Sequence, residues 1–286
     1  MPAPAGLSPL AGRRVLNTRA SDDAAALDEL IRARGAEPIP FPCLEFAAPS
    51  PEETRAVAAA FERARREPPA AIAIASPRAA REFISRARGL AQGERTSRGG
   101  STAARSNDRD LRWPHGALIA ASGEATARAL REAGFAAIAP EQGVGAEALA
   151  RLVLERLERD RWVLLPQAAE PSPALAEALR AGGLEPVAAP LYRTVPLEAA
   201  GAPHARGLAL LEADQLDAVL LGSGSAVRGF AAILRARNKP PPARLRLACI
   251  GEPTAAVARG LGLKVDAVGE GGFDSLLAAL AACYVA

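Results

Sequence analysis

The chain of 286 residues carries a formal net charge of +3, three cysteines and two histidines, and its length suits two domains of ordinary size, each able to bury its own core. All but two of its 35 basic residues are arginine, and so mild a charge does not call for nucleic acid. Cys43, Cys249 and Cys283 stand far apart with no Cys-x-x-Cys pair, which argues against a zinc or iron–sulfur site and fits a reducing cytoplasm.

No stretch approaches about 18 uninterrupted apolar residues. The start, MPAPAGLSPLAGRR, has no charged segment ahead of a long apolar run, so neither a membrane span nor a secretory signal is expected. Short apolar runs at 14–18, 71–76, 117–121, 135–139, 162–166, 217–222, 245–250 and 264–268 predict strands. Amphipathic stretches at 22–34, 78–87, 124–133, 146–158, 172–181, 225–236, 252–260 and 273–282 predict the intervening helices. This alternation predicts an α/β chain with doubly wound parallel sheets. Residues 88–112, RGLAQGERTSRGGSTAARSNDRDLR, lose apolar periodicity and read as a flexible insertion. Their charges are mixed and no aromatic lies between Gly89 and Leu111, which argues against a base-stacking arm.

Four landmarks recur in order. ELIRARGAEPIP places Gly35 and EALRAGGLEPVAAP places Gly183, 148 residues apart, while Ser76 of AIAIASPRAAREF and Ser223 of AVLLGSGSAVRGF lie 147 apart. LIAASGEATARAL and LACIGEPTAAVAR repeat Gly-Glu-x-Thr, with Gly123 and Gly251, and Thr126 and Thr254, 128 apart. A duplication with an insertion of about 19 residues in the first copy accounts for all of them. Two proline-rich segments at equivalent places, EPIPFPCLEF and EPVAAPLYRTVP, are expected to be extended and stiff without being central strands. As connectors at 37–49 and 185–196 they would divide the chain into one domain of 1–36 plus 197–286 and another of 50–184, each built from both repeats.

Ligands of doubly wound sheets bind beyond the carboxyl ends of the strands, where helix N-termini present free N–H groups. Thr18-Arg19, Ser76, Ser122-Gly123-Glu124-Ala125-Thr126, Ser223-Gly224-Ser225 and Gly251-Glu252-Pro253-Thr254 all fall there. Taken singly, each hydroxyl suits a helix cap; their pairing across two domains suits a shared anionic ligand. No G-x-S-x-G or G-x-x-x-x-G-K-[ST] occurs. GVGAEA from Gly143 mimics a dinucleotide loop but does not follow a strand directly. With so few titratable groups, any catalysis is expected to rest on positioning, backbone donors and one acid at most.

TRA near the start, ASPRAAREF, ASGEATARALREAGF, PLYRTVP, LLGSGSAVRGF and IGEPTAAVARGLGLKV, in this order, resemble the uroporphyrinogen-III synthase family over nearly the full length. The resemblance implies two flavodoxin-like domains joined by an extended two-stranded linker. It also implies a cytoplasmic, monomeric lyase that cyclises hydroxymethylbilane to uroporphyrinogen III, inverting the last pyrrole ring through a spiro intermediate with loss of water. No metal, cofactor, nucleic acid or membrane is implied. By that resemblance, Tyr192 helps the hydroxyl depart, and a phenol suits hydrogen-bond donation better than full acid catalysis at neutral pH. Thr126, Thr254, Ser76 and Ser223 match cleft positions, and Arg19 matches an arginine able to pair with one of the substrate's eight carboxylates. Ser122, Gly123, Ser225 and Gly251 complete the expected substrate-binding set.

The chain departs from the family's pattern at Gln167–Pro171, at GSGS and at ASG, and Glu124 and Glu252 add negative charge beside the expected carboxylate sites. A two-lobed module that binds an anionic ligand without catalysis is the alternative.

Overall fold

The computed structural model describes residues 8–97, 116–238 and 240–285. The first repeat runs β1 (Arg14–Asn17), α1 (Ala25–Ala33), β2 (Glu37–Pro40), β3 (Leu44–Ala47), α2 (Pro51–Arg66) and β4 (Ala71–Ile74), then α3 (Pro77–Ser97), β5 (Leu118–Ala121), α4 (Glu124–Glu132), β6 (Ala137–Ile138) and α5 (Ala146–Leu154). The second runs β7 (Trp162–Ala168), α6 (Ala174–Ala181), β8 (Glu185–Pro196), α7 (Ala205–Glu212) and β9 (Ala218–Leu221), then α8 (Gly224–Ala236), β10 (Arg246–Cys249), α9 (Glu252–Gly260), β11 (Ala267–Val268) and α10 (Phe273–Ala282). The local chemistry repeats as well: Gly35 and Gly183 take positive φ of 76° and 86°. Behind them, Ala36 N–H donates to Ile31 O and Leu184 N–H to Leu179 O, closing α1 and α6 with the same left-handed cap.

The chain divides into two compact units, Met1–Phe46 with Thr194–Ala286, and Ala47–Arg193. The first holds a sheet ordered β11-β10-β9-β1-β2, the second a sheet ordered β3-β8-β7-β4-β5-β6. β1 pairs in parallel with β2 and β9, and β10 with β9 and β11. In the second sheet the β4–β5, β4–β7, β5–β6 and β7–β8 pairs are parallel too. Numbered along its own chain, the first sheet has the flavodoxin order 2-1-3-4-5. The run β8-β7-β4-β5-β6 of the second reproduces that arrangement with its chain entering at the third position, so each five-stranded parallel set draws two strands from one repeat and three from the other. Residues 14–18 and 71–76 accordingly lie in different sheets.

Strands covered on both faces should be apolar throughout, and β4 and β9 are buried along their whole lengths. In the first unit Leu16, Phe41, Phe230 and Ile233 pack one side of the sheet, and Val15, Ile31, Leu276 and Leu280 pack the other. In the second, Ala73, Leu149, Val153 and Leu179 belong to one cluster.

Two expectations need correction. The proline-rich segments are not mere connectors: residues 37–40 form the edge strand β2, and 185–196 form β8, which lies between β3 and β7. Proline is tolerated because of its parity along the strand. Glu185 N–H donates to Arg161 O, so Pro186 and Pro190, an odd number of residues on, face away from β7 and cost the β7–β8 ladder no donor. Glu37 N–H donates to Arg13 O in the same way, so Pro38 and Pro40 turn toward the open edge. The insertion expected at 88–112 also begins later, because α3 continues to Ser97. Ala79, Ala80, Phe83 and Ala87 anchor its earlier turns in the core. From residue 98 onward the expected insertion lies outside the described residues.

One close approach in the first unit is set by a glycine. A Cβ built on Gly229 of α8 would stand 1.8 Å from the carbonyl oxygen of Cys43, an oxygen that also accepts from Leu197 N–H at 3.0 Å.

Candidate active site

In the second unit, Ser76 and Tyr192 meet at the carboxyl end of the sheet. Ser76 follows β4 and caps α3, its Oγ accepting from Ala79 N–H at 3.1 Å. The same Oγ lies 3.4 Å from the Tyr192 hydroxyl. Tyr192 reaches that position through a bulge: Pro190 pairs with Gln167, but Tyr192 pairs with Ala168, leaving Leu191 as the extra residue. An extra residue in one strand re-aims the side chains that follow, which lets two neighbours, Leu191 and Tyr192, both be buried, the latter 8% exposed. Ala169 N–H donates to Tyr192 O, fixing the loop after β7 to the tyrosine's own backbone. The Arg78 guanidinium lies 5.9 Å from the ring centroid and pairs with Glu82 at 2.9 Å. Arg193, the next residue, lies 3.5 Å from Glu53. The Ser122 hydroxyl donates to Ala75 O at 2.9 Å and so ties the ends of β5 and β4 together.

In the first unit, Ser223 repeats the cap, accepting from Ala226 N–H at 3.2 Å at the start of α8; Ser225 is half-buried in that helix's first turn. The residue equivalent to Tyr192 is Leu44, so the phenol breaks the internal symmetry. Arg19 is held within its own unit: Nε donates to Asp23 O at 2.9 Å, a terminal nitrogen lies 3.2 Å from Asp23 Oδ2, and the guanidinium sits 5.0 Å from the centre of the Phe273 ring. A substrate carboxylate at Arg19 would therefore have to share it with Asp23.

The two Gly-Glu-x-Thr turns are built alike. Gly123 and Gly251 are extended N-cap residues without a capping side chain, which leaves first-turn N–H groups for another acceptor. Thr126 and Thr254 follow three residues on, only 2% and 7% exposed. They differ in donor supply, since Pro253 removes one N–H from α9 and Thr254 N–H turns back to Gly251 O. Glu124 and Glu252 lie 72% and 67% exposed and pair with Arg131 and Arg259, seven residues along each helix. Their charge is thus directed along the helix surface and answered there. Burial pushes the Cys43 thiol well above its ordinary range and Cys249, at the end of β10, up to about 11. Both are protonated at neutral pH and neither is a ready nucleophile. Among the described residues no cluster of His, Cys, Asp and Glu could hold a metal ion, and no helix is long and apolar enough to cross a membrane.

The family model for uroporphyrinogen-III synthase HemD matches residues 25–276. The chain belongs to that family. The porphyrin biosynthesis protein HemD of Ruminiclostridium josui is 26% identical over 271 residues, which are 94% of this chain and 48% of that protein. The chain therefore spans about half the length of this curated relative. Among solved structures, a mutant uroporphyrinogen III synthase from the extremely thermophilic bacterium Thermus thermophilus matches with a TM-score of 0.53 at 22% identity, covering 95% of this chain and 98% of that one. The uroporphyrinogen-III synthetase of Helicobacter pylori 26695 matches with a TM-score of 0.51 at 15% identity, covering 93% and 97%. At these identities the likeness shows the two-sheet α/β fold.

Within this HemD-family chain the structure adds a residue that motif spacing passed over. Asn17, 1% exposed at the end of β1, donates to Ala24 O at 3.1 Å and Asp28 Oδ1 at 2.8 Å, and its Oδ1 accepts from Arg19 N–H. A buried carboxamide with all these partners holds the Thr18-Arg19 turn in place. The signal was present as a polar residue inside an otherwise apolar run. Asn17→Leu leaves Asp28 and the Arg19 amide without their partner, and an expected loss of about 2–3 kcal/mol should appear as a lower denaturation midpoint.

Proposed function

We propose that this chain is a uroporphyrinogen-III synthase, a cyclising lyase that converts hydroxymethylbilane to uroporphyrinogen III, working as a cytoplasmic monomer. The observation that supports this, beside family membership, is the phenol of Tyr192 held beside Ser76 at the carboxyl end of a parallel sheet. The substrate's C–O bond breaks with its electron pair on oxygen, and the departing hydroxyl takes up a proton to leave as water. The last ring is turned by making one C–C bond to form a spiro centre and breaking its old one. In the final closure its free α-carbon attacks the remaining electrophilic methylene and gives up a proton, which balances the one consumed. Tyr192 is the residue assigned to the first step, donating a hydrogen bond to the departing oxygen. Gly123, Thr126 and Ser122 in the second unit, and Gly251, Thr254, Ser223, Ser225 and Arg19 in the first, are the hydroxyls and donors assigned to substrate carboxylates.

The test is a coupled assay supplied with freshly made hydroxymethylbilane, with the type I and type III uroporphyrinogen isomers separated. Formation of the type III isomer is expected. Only the type I isomer, which forms spontaneously, would leave a non-catalytic anion-binding module, the alternative suggested by the altered loop at Gln167–Pro171. Thr254→Val keeps the side chain's shape and removes one hydroxyl. If that hydroxyl binds a carboxylate equally in ground and transition states, KM rises about 5–10-fold while kcat is unchanged, as steady-state kinetics would show.

A further inference from the structure

We infer that Val144 is a specificity-determining contact that seats the apolar face of one pyrrole ring beside the Gly123 turn, a role that rests on the synthase reading. Among the described residues only Val144, 64% exposed, and Val285, near the C-terminus, are large apolar side chains standing mostly in solvent. A single exposed valine calls for no explanation by itself; the setting of this one does. It lies on the loop between β6 and α5, at the carboxyl end of the second unit's sheet. Gly143 and Gly145 on either side take positive φ of 77° and 93°. Gly145 N–H donates to Ser122 O at 2.9 Å, which ties the loop to the end of β5. A Cβ built on Gly123 would stand 3.4 Å from Val144 Cγ1, so the valine lies against the turn that leaves α4 without a capping side chain.

Each pyrrole ring of hydroxymethylbilane is a flat apolar body with carboxylate arms, so a subsite for one needs donors and an apolar wall close together. The Gly123 turn has the donors, and Val144 is the wall. Water excluded from their shared border also strengthens the hold of those donors on a carboxylate. The duplication shows that the fold does not demand an apolar residue here. In the first unit Gly271, with φ of 97°, donates to Ile250 O at 2.8 Å as Gly145 does to Ser122 O, and the residue before it is the exposed Glu270. The two copies of the turn thus offer a ring different surfaces, apolar in the second unit and acidic in the first. A reaction that turns over one ring of a tetrapyrrole and leaves the others has use for such a difference.

Val144→Ser removes the apolar surface at an exposed position, so the melting temperature should stay nearly constant. In the type III assay its KM for hydroxymethylbilane should rise about 3–10-fold, with kcat within about twofold. Val144→Ile should recover most of the loss. Val144→Glu, which copies Glu270, should raise KM further, because a like charge then faces the substrate's carboxylates. An unchanged KM in Val144→Ser overturns the contact even if Val144→Glu binds poorly, since charge alone then explains that variant. A loss in Val144→Ile as large as in Val144→Ser overturns it by assigning the effect to the loop. A fall confined to kcat, or a lower melting temperature in Val144→Ser, overturns it as well, the latter by making the valine a packing residue on Gly123. All of these leave the synthase reading standing, whereas a wild-type protein that yields only the type I isomer overturns both.

Discussion

Tyr192→Phe should lower kcat by about 5–150-fold, the equivalent of about 1–3 kcal/mol of transition-state stabilisation, with KM and the melting temperature nearly unchanged. The variant keeps the ring that fills the space between β8, Ser76 and Arg78 and removes one hydroxyl. The loss is partial because hydroxymethylbilane is itself reactive and the phenol is one donor among several. Most of the acceleration is then left to the folding of a reactive substrate, to which the phenol adds one donor. Full kcat in Tyr192→Phe together with an unfolded Tyr192→Ala would make the tyrosine a packing residue and remove it from the chemistry.

The largest effect on stability is expected at Gly229. Alanine there gains about 1 kcal/mol of helix propensity, but its Cβ would fall 1.8 Å from the Cys43 carbonyl oxygen, and a backbone atom cannot rotate aside. Either α8 or the strand-flanking segment at Cys43–Leu197 must move, which over-packed cores resist at about 1–3 kcal/mol and sometimes more. With a backbone atom 1.8 Å away the cost lies above that usual range, at about 4 kcal/mol, and the net loss of about 3 kcal/mol after the propensity gain should lower the first unit's melting temperature by about 6–12 °C. Gly260→Ala in α9 is the control, because a Cβ there meets nothing within 4 Å. It should stabilise by about 0.5–1 kcal/mol. If calorimetry finds Gly229→Ala no less stable than Gly260→Ala, the close approach is not a constraint.

The strands were legible because parallel strands buried on both faces are written as short unbroken apolar runs, as AIAI and AVLL are here. What escaped was written differently. α2 is so charged that its apolar face of Val57, Ala60, Phe61 and Ala64 does not stand out, although Ser50 and Glu53 announce its start with a capping box. β8 was masked by its prolines, since their harmlessness depends on which way each missing N–H faces, and that is settled only by the partner strand. The site was legible as places: the serines, glycines and threonines do stand at strand ends. Their partners were not, because the Ser76–Tyr192 contact depends on a bulge and the Arg19–Asp23 pair on a turn. A one-dimensional pattern records neither.

The sharing of strands between repeats also sets an order of events during synthesis. The second unit is one continuous segment, Ala47–Arg193, and can close its sheet as soon as that segment has emerged. β1 and β2 emerge first, yet the strand that completes their pairing, β9, is made about 180 residues later. At roughly 5–20 residues per second the ribosome takes on the order of 10–35 s to cover that distance. Throughout that interval Val15, Leu16 and Ile39 are apolar side chains with no completed sheet to enter. The β1–α1–β2 segment is therefore the part that a holdase chaperone should contact while the rest of the first unit is being made, and it becomes native later than the second unit that follows it in the chain.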